Sequence, residues 1–186
     1  LEADGKENSG TLYLRELALD RYYYKRLWDI SASFYKKDKE KTRKILGLEI
    51  DLKNIEWINR LTAYYSVPRS SLEQYIMTGI GNRHTGILEK GSTDESIHRF
   101  LETLRPGPGS PDAADLNKTP SSAQIEHTFY TVMASTAEKA FHGNPFTVTL
   151  LWGYRVFLMI EQKNLISLAE SARYGLDKQQ SLRYLI

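Results

Sequence analysis

Asp51-Leu52-Lys53-Asn54-Ile55 and Glu161-Gln162-Lys163-Asn164-Leu165 decide how this chain is read. In both, an acid stands three residues before an asparagine and an apolar helical face follows. Laid over one another, the stretches keep register without a gap: Ile58 falls over Leu168, Tyr64 over Tyr174, Leu72 over Leu182 and Ile76 over Ile186. Upstream, Leu19-Asp20 and Tyr23-Tyr24 match Ile125-Glu126 and Phe129-Tyr130 with a shift of a few residues. Self-similarity at a fixed offset is the sequence signature of a repeated supersecondary unit. The structural reading is two copies of one multi-helix unit.

Working outward, helical periodicity dominates. Leu19, Tyr23, Leu27, Ile30 and Phe34 step by three or four, which predicts one apolar helix face. The lysine-rich residues 36–44 read as solvated. Ile50, Ile55, Ile58, Leu61 and Tyr65 make a second helix, and Pro68 suits the first turn of a short helix through Leu72, Tyr75 and Ile76. Residues 77–91 hold four glycines and read as a loop. Ser92 and Glu95 form a capping box ahead of Ile97, Phe100, Leu101 and Leu104. Four prolines and two glycines break residues 105–120 into a linker. Beyond it a helix covers residues 125–141, Asn144-Pro145 starts another, and the apolar run 148–160 reads as a core helix. Asp177 and Gln180 stand in capping-box spacing for a closing helix. No run alternates like a strand, so the fold class is all-α, a pair of related multi-helix units. The expected organisation is a disordered lead-in over 1–10 (or the remnant of a longer chain), a first unit over 11–104, the linker over 105–120 and a second unit over 121–186.

Composition narrows the function classes. In 186 residues, 41% are hydrophobic and 26% charged, the balance of a globular chain with a real core. A net charge of +2 is too small to point to nucleic acid. The absence of cysteine removes disulfides and thiolate metal sites. The apolar run 148–160, interrupted by Arg155, is too short to span a bilayer, which needs about 20 residues.

Catalytic chemistry has thin support. His84, His98, His127 and His142 show none of the spacings that set two imidazoles on one helix face, so no metal site is expected. Gly79-Ile80-Gly81-Asn82-Arg83-His84-Thr85-Gly86 lacks the Gly-Lys-Ser/Thr ending of a phosphate loop and reads as a turn. Glu49, Asp51 and Glu56, or Glu161 with Glu170, would need to converge in a pocket to act as an acid–base pair. Asp51 and Glu161 instead read as structural acids, satisfying neighbouring donors where helices meet. Tyr22, Tyr23 and Tyr24 are consecutive and must point around their helix, so at least one reaches beyond its own core. No catalytic residue and no cofactor are expected.

Glu49-Ile50-Asp51-Leu52-Lys53-Asn54-Ile55-Glu56-Trp57-Ile58-Asn59-Arg60 resembles the iDl-x-Ni-x-x-x-x-R helix of the C/d subunit family of A/V-type ATPases. Leu72-Glu73-Gln74-Tyr75-Ile76, followed by a glycine-bearing loop, is similar to that family too. So is the ending, from Asn144-Pro145-Phe146 through Tyr154 and Glu161-x-x-Asn164-Leu165 to Gly175-Leu176-Asp177. The ordered set carries the resemblance over roughly residues 17–186, the linker apart. Two features depart from it. Leu158-Met159 stands where the family carries Lys-Glu, and the chain holds two units where the family has three, as a C-terminal portion would. The resemblance implies that the two units form part of a funnel-like helical adaptor, a non-catalytic rotor part whose partners are the central-stalk subunits and the membrane proteolipid ring. It implies a cytoplasmic place, peripheral to the membrane, and torque passed between ATP turnover and ion transport. The structural motif residues are Asp51, Asn54, Glu161 and Asn164, and the expected interface residues are Arg60, Arg83 and His84. The alternative is an unrelated helical-repeat scaffold that binds other proteins.

Overall fold

The structure, a computed structural model, describes residues 3–81, 122–142, 144–182 and 185–186. The capping box at Ser92, the Pro/Gly linker, Arg83 and His84 lie outside the described residues. Five α-helices and one 3₁₀ helix are described: α1 (Ala3–Ser31), α2 (Lys36–Tyr65), the 3₁₀ helix (Arg69–Gln74), α3 (Ser122–Phe141), α4 (Val148–Arg173) and α5 (Lys178–Leu182). No described residue lies in a strand, so the all-α expectation holds.

α2 is the axis of the fold. Ile45, Leu46, Leu48, Ile50, Leu52, Ile55, Ile58 and Leu61 are all buried, and they go around the helix rather than along one stripe. A helix apolar on every side must be covered on every side, and α1, α3 and α4 do this. Each large aliphatic side chain withdrawn from water contributes roughly 1.5–3 kcal/mol. One core cluster takes in Tyr13 and Leu17 of α1, Leu72 and Ile76 around the 3₁₀ helix, Phe129 and Met133 of α3, and Val156 of α4. Residues from both expected units therefore share one core.

α4 lies close against α3 at Gly153. A Cβ there would meet Phe141 Cε2 at 3.1 Å and the Ala137 carbonyl oxygen at 3.3 Å. Ala137 and Ala140 are buried opposite it, so small residues on both helices set the close approach. Polar pins hold the outer ends of the bundle. Arg43 donates through Nε to Ser31 Oγ at 2.9 Å and through Nη2 to the Trp28 carbonyl at 3.1 Å, and its guanidinium lies 4.6 Å from the Trp28 ring centre. That ties the end of α1 to the start of α2. Thr42 Oγ1 and Thr149 Oγ1 share a buried hydrogen bond of 3.2 Å between α2 and α4.

Several local expectations need correction. Residues 1–10, expected as a disordered lead-in, are helical from Ala3 onward. They contain no proline, and a helix nucleated further along extends into such a run at little cost per residue. The apolar face of α1 is displaced by one residue from the predicted one. Tyr13, Leu17 and Tyr24 are buried, whereas Leu19, Tyr23 and Ile30 are exposed. Of the predicted face Leu27 does pack against the core, and packing against α2 rather than periodicity set which neighbours join it. Residues 36–44 begin α2, with their lysines mostly solvated. Asn144-Pro145 precedes α4 instead of opening it: the Phe146 N–H donates to Asn144 Oδ1 at 3.0 Å, and the helix starts at Val148. Nor is 148–160 a fully covered core helix, since Leu151, Tyr154 and Leu158 are exposed.

Candidate functional site: a buried ion-pair junction and two asparagine clamps

α2 carries Glu49 into the core, where the residue is 3% exposed. An ionised carboxylate only accepts hydrogen bonds, and leaving one buried without donors is costly. Arg155 of α4 answers it with both arms of its guanidinium. Nη1 donates to Glu49 Oε2 at 2.7 Å and Nη2 to Oε1 at 2.8 Å, a bidentate fork. Tyr24 of α1 donates its hydroxyl to Oε1 at 3.0 Å. Trp152, one turn before Arg155, sits with its ring centre 5.5 Å from the guanidinium. Three helices distant in sequence therefore meet on one carboxylate.

The electrostatics make this junction a lock. Burial first, and the Glu49 charge second, push the Tyr24 phenol far above its usual range. The hydrogen bonds from Arg155 to Glu49 raise the arginine further, against the opposing cost of desolvation. Tyr130, on α3, is also pushed up by burial and then by the charges of Glu56, Glu126 and Glu49. Neither Tyr24 nor Arg155 exchanges protons near neutrality. Their service is to hold α1, α2 and α4 in fixed relation.

Beside the junction lie two clamps of one design. Asn54 Nδ2 donates to the Met77 carbonyl at 3.1 Å, and the Met77 N–H donates to Asn54 Oδ1 at 2.8 Å. Asn164 does the same with Ile186: Nδ2 to the carbonyl at 3.3 Å, and the Ile186 N–H to Oδ1 at 2.9 Å. In each, a carboxamide on a long helix reads both backbone groups of one residue beyond a short helix. The second short helix has the predicted capping box, with Gln180 N–H on Asp177 Oδ1 at 2.8 Å and Asp177 N–H on Gln180 Oε1 at 3.1 Å.

The ungapped register of the sequence comparison holds only as far as Leu61 and Ser171. Val67 N–H closes the end of α2 onto the Leu61 carbonyl at 3.1 Å, whereas Leu176 N–H closes α4 onto Ser171 at 3.0 Å, a turn one residue shorter. The left-handed residue is Ser66 (φ 50°) in the first case and Gly175 (φ 66°) in the second. Met77, not Ile76, is therefore the counterpart of Ile186. A wider last turn of α2 absorbs one extra residue, and pattern matching has no means to see it.

The remaining expected site residues are scattered. Asp51 is fully buried, while Glu161 at the matching position is exposed, so the two acids do not share an environment. Arg60 is exposed and lies over the Tyr13 ring, 4.8 Å from its centre. Tyr13 in turn stacks on Tyr65 at 4.9 Å. Lys163 pairs with Glu126 and lies 4.8 Å from the Tyr130 ring centre, joining α3 to α4. Glu49, Arg155 and Tyr24 were not singled out together from sequence. The available signal was a lone arginine inside an apolar run, which has to find a partner if it packs inward. A shallow, open depression lined by Ser70, Ser71, Glu73 and Gln74 gathers no convergent acid–base groups. No described helix is long and apolar enough to cross a membrane.

The described helices thus form an all-helical assembly pinned by a buried ion pair and by two asparagine clamps. The family model for the ATP synthase (C/AC39) subunit matches residues 2–184, and the chain belongs to that family. It is 26% identical over 174 residues to the C subunit of the A-type ATP synthase of Methanosphaera stadtmanae, covering 91% of this chain and 45% of the relative. The chain thus spans less than half the length of the curated relative it matches. No solved structure matches it.

Proposed function

We propose that the chain is a non-catalytic rotor adaptor, coupling the central stalk of an A/V-type ATPase to its membrane proteolipid ring. The observation that carries this reading is the family match over almost the whole described fold. The physical support is the junction at Glu49. A part that passes torque has to resist shear between its helices, and a bidentate pair within a covered core opposes sliding of α4 over α2 more than apolar contact alone does. In this reading the protein is cytoplasmic, peripheral to the membrane, and binds neither nucleotide nor nucleic acid. Arg60, Arg83 and His84 are the positions proposed to meet acidic groups of the stalk or ring.

The test is affinity capture of the tagged parent protein from gently solubilised native membranes, with the co-eluting proteins identified. Recovery of stalk subunits together with the proteolipid ring supports the adaptor role. Recovery of the protein alone, or with unrelated soluble partners, moves a helical scaffold of other purpose to the front. Charge reversal at Arg60, Arg83 and His84 is expected to lower the yield of the captured assembly; an unchanged yield removes those positions from the interface.

A further inference from the structure

We draw no further inference here: the strongest candidate, the apolar stripe of Leu151, Tyr154, Leu158, Leu165 and Leu168 along the exposed side of α4, carries nothing, because nothing in the structure shows what covers it in a chain that spans less than half the length of its relative.

Discussion

The two asparagine clamps are chemically alike and physically different. Asn54 is fully buried, and so are Leu72, Ile76 and Met77 around it. Asn164 is only part-buried, and Leu182 on the following helix is more than half exposed. The difference comes from what lies over each. Tyr13 and Leu17 of α1 share the core cluster with Leu72, Ile76 and Met77, and Arg21 Nη1 of α1 donates to the Gln74 carbonyl at 2.7 Å, fastening the 3₁₀ helix down. No described element does this for α5. The positions five residues before the asparagines diverge in the same way: Glu49 is matched by Met159, which packs partly buried against the core without a charge to satisfy. One local motif can therefore serve as a core element or as a surface fastening, according to the third helix laid over it.

Removing the arginine of the junction should do the most damage. Arg155→Leu leaves the Glu49 carboxylate buried with Tyr24 as its one remaining donor from the junction, at an expected cost of about 3–5 kcal/mol. Chemical denaturation should show this as a large fall in midpoint. Glu49→Met with Arg155→Leu should recover most of the loss, because an apolar pair fills the site without a charge. If the double variant is no more stable than the single one, the junction is not an ion pair that acts as a unit.

Next come the clamps themselves. Asn54→Ala strands the N–H and carbonyl of Met77 in the core and should cost about 2–3 kcal/mol. Asn164→Ala exposes the equivalent groups to water and should cost about 1 kcal/mol or less. Equal losses in parallel urea titrations would erase the distinction drawn from burial.

The turns after the long helices should respond in opposite directions. Ser66 holds a left-handed conformation that favours glycine, so Ser66→Gly should gain up to about 1 kcal/mol. Gly175→Ala should lose about as much, and for conformational reasons alone, since a Cβ there meets nothing within 4 Å. Thermal melts of the two variants would display the opposite signs.

The smallest effect is in alkali. The Tyr24 pKa is raised in the folded state, so its contribution is fully present below the ordinary tyrosine value of about 10. It is lost as pH climbs from there toward the folded value, because the unfolded chain gives up the proton first. Tyr24→Phe should therefore flatten part of the decline in stability above about pH 10, with Tyr130 accounting for some of the rest. A decline of unchanged slope would mean that the phenol does not report on the junction.

Much of this was legible without coordinates. The all-α class follows from helical spacing and from the absence of alternating runs, both local properties of the chain. Asn54 and Asn164 could be paired because like residues recur at one offset, and the Asp177–Gln180 box could be read because capping depends on neighbours in sequence. The meeting of Glu49 with Arg155 could not be read, because their partnership depends on how α4 crosses α2 and not on any spacing along the chain. The inward face of α1 was misread, because periodicity favoured Leu19, Tyr23 and Ile30 while packing buries Tyr13, Leu17 and Tyr24. The extra residue in the last turn of α2 was invisible for a similar reason: a widened turn leaves composition untouched.

By itself, then, the sequence determined the all-α class, the Asp177–Gln180 cap and the recurrence of the acid-x-x-Asn motif, because those depend on interactions within a turn or two. Tertiary structure alone decided which faces are buried, which acid is paired and which clamp is sheltered. Burial is a property of what other elements cover, and a carboxylate becomes a lock only where a distant arginine shares the same excluded volume of water.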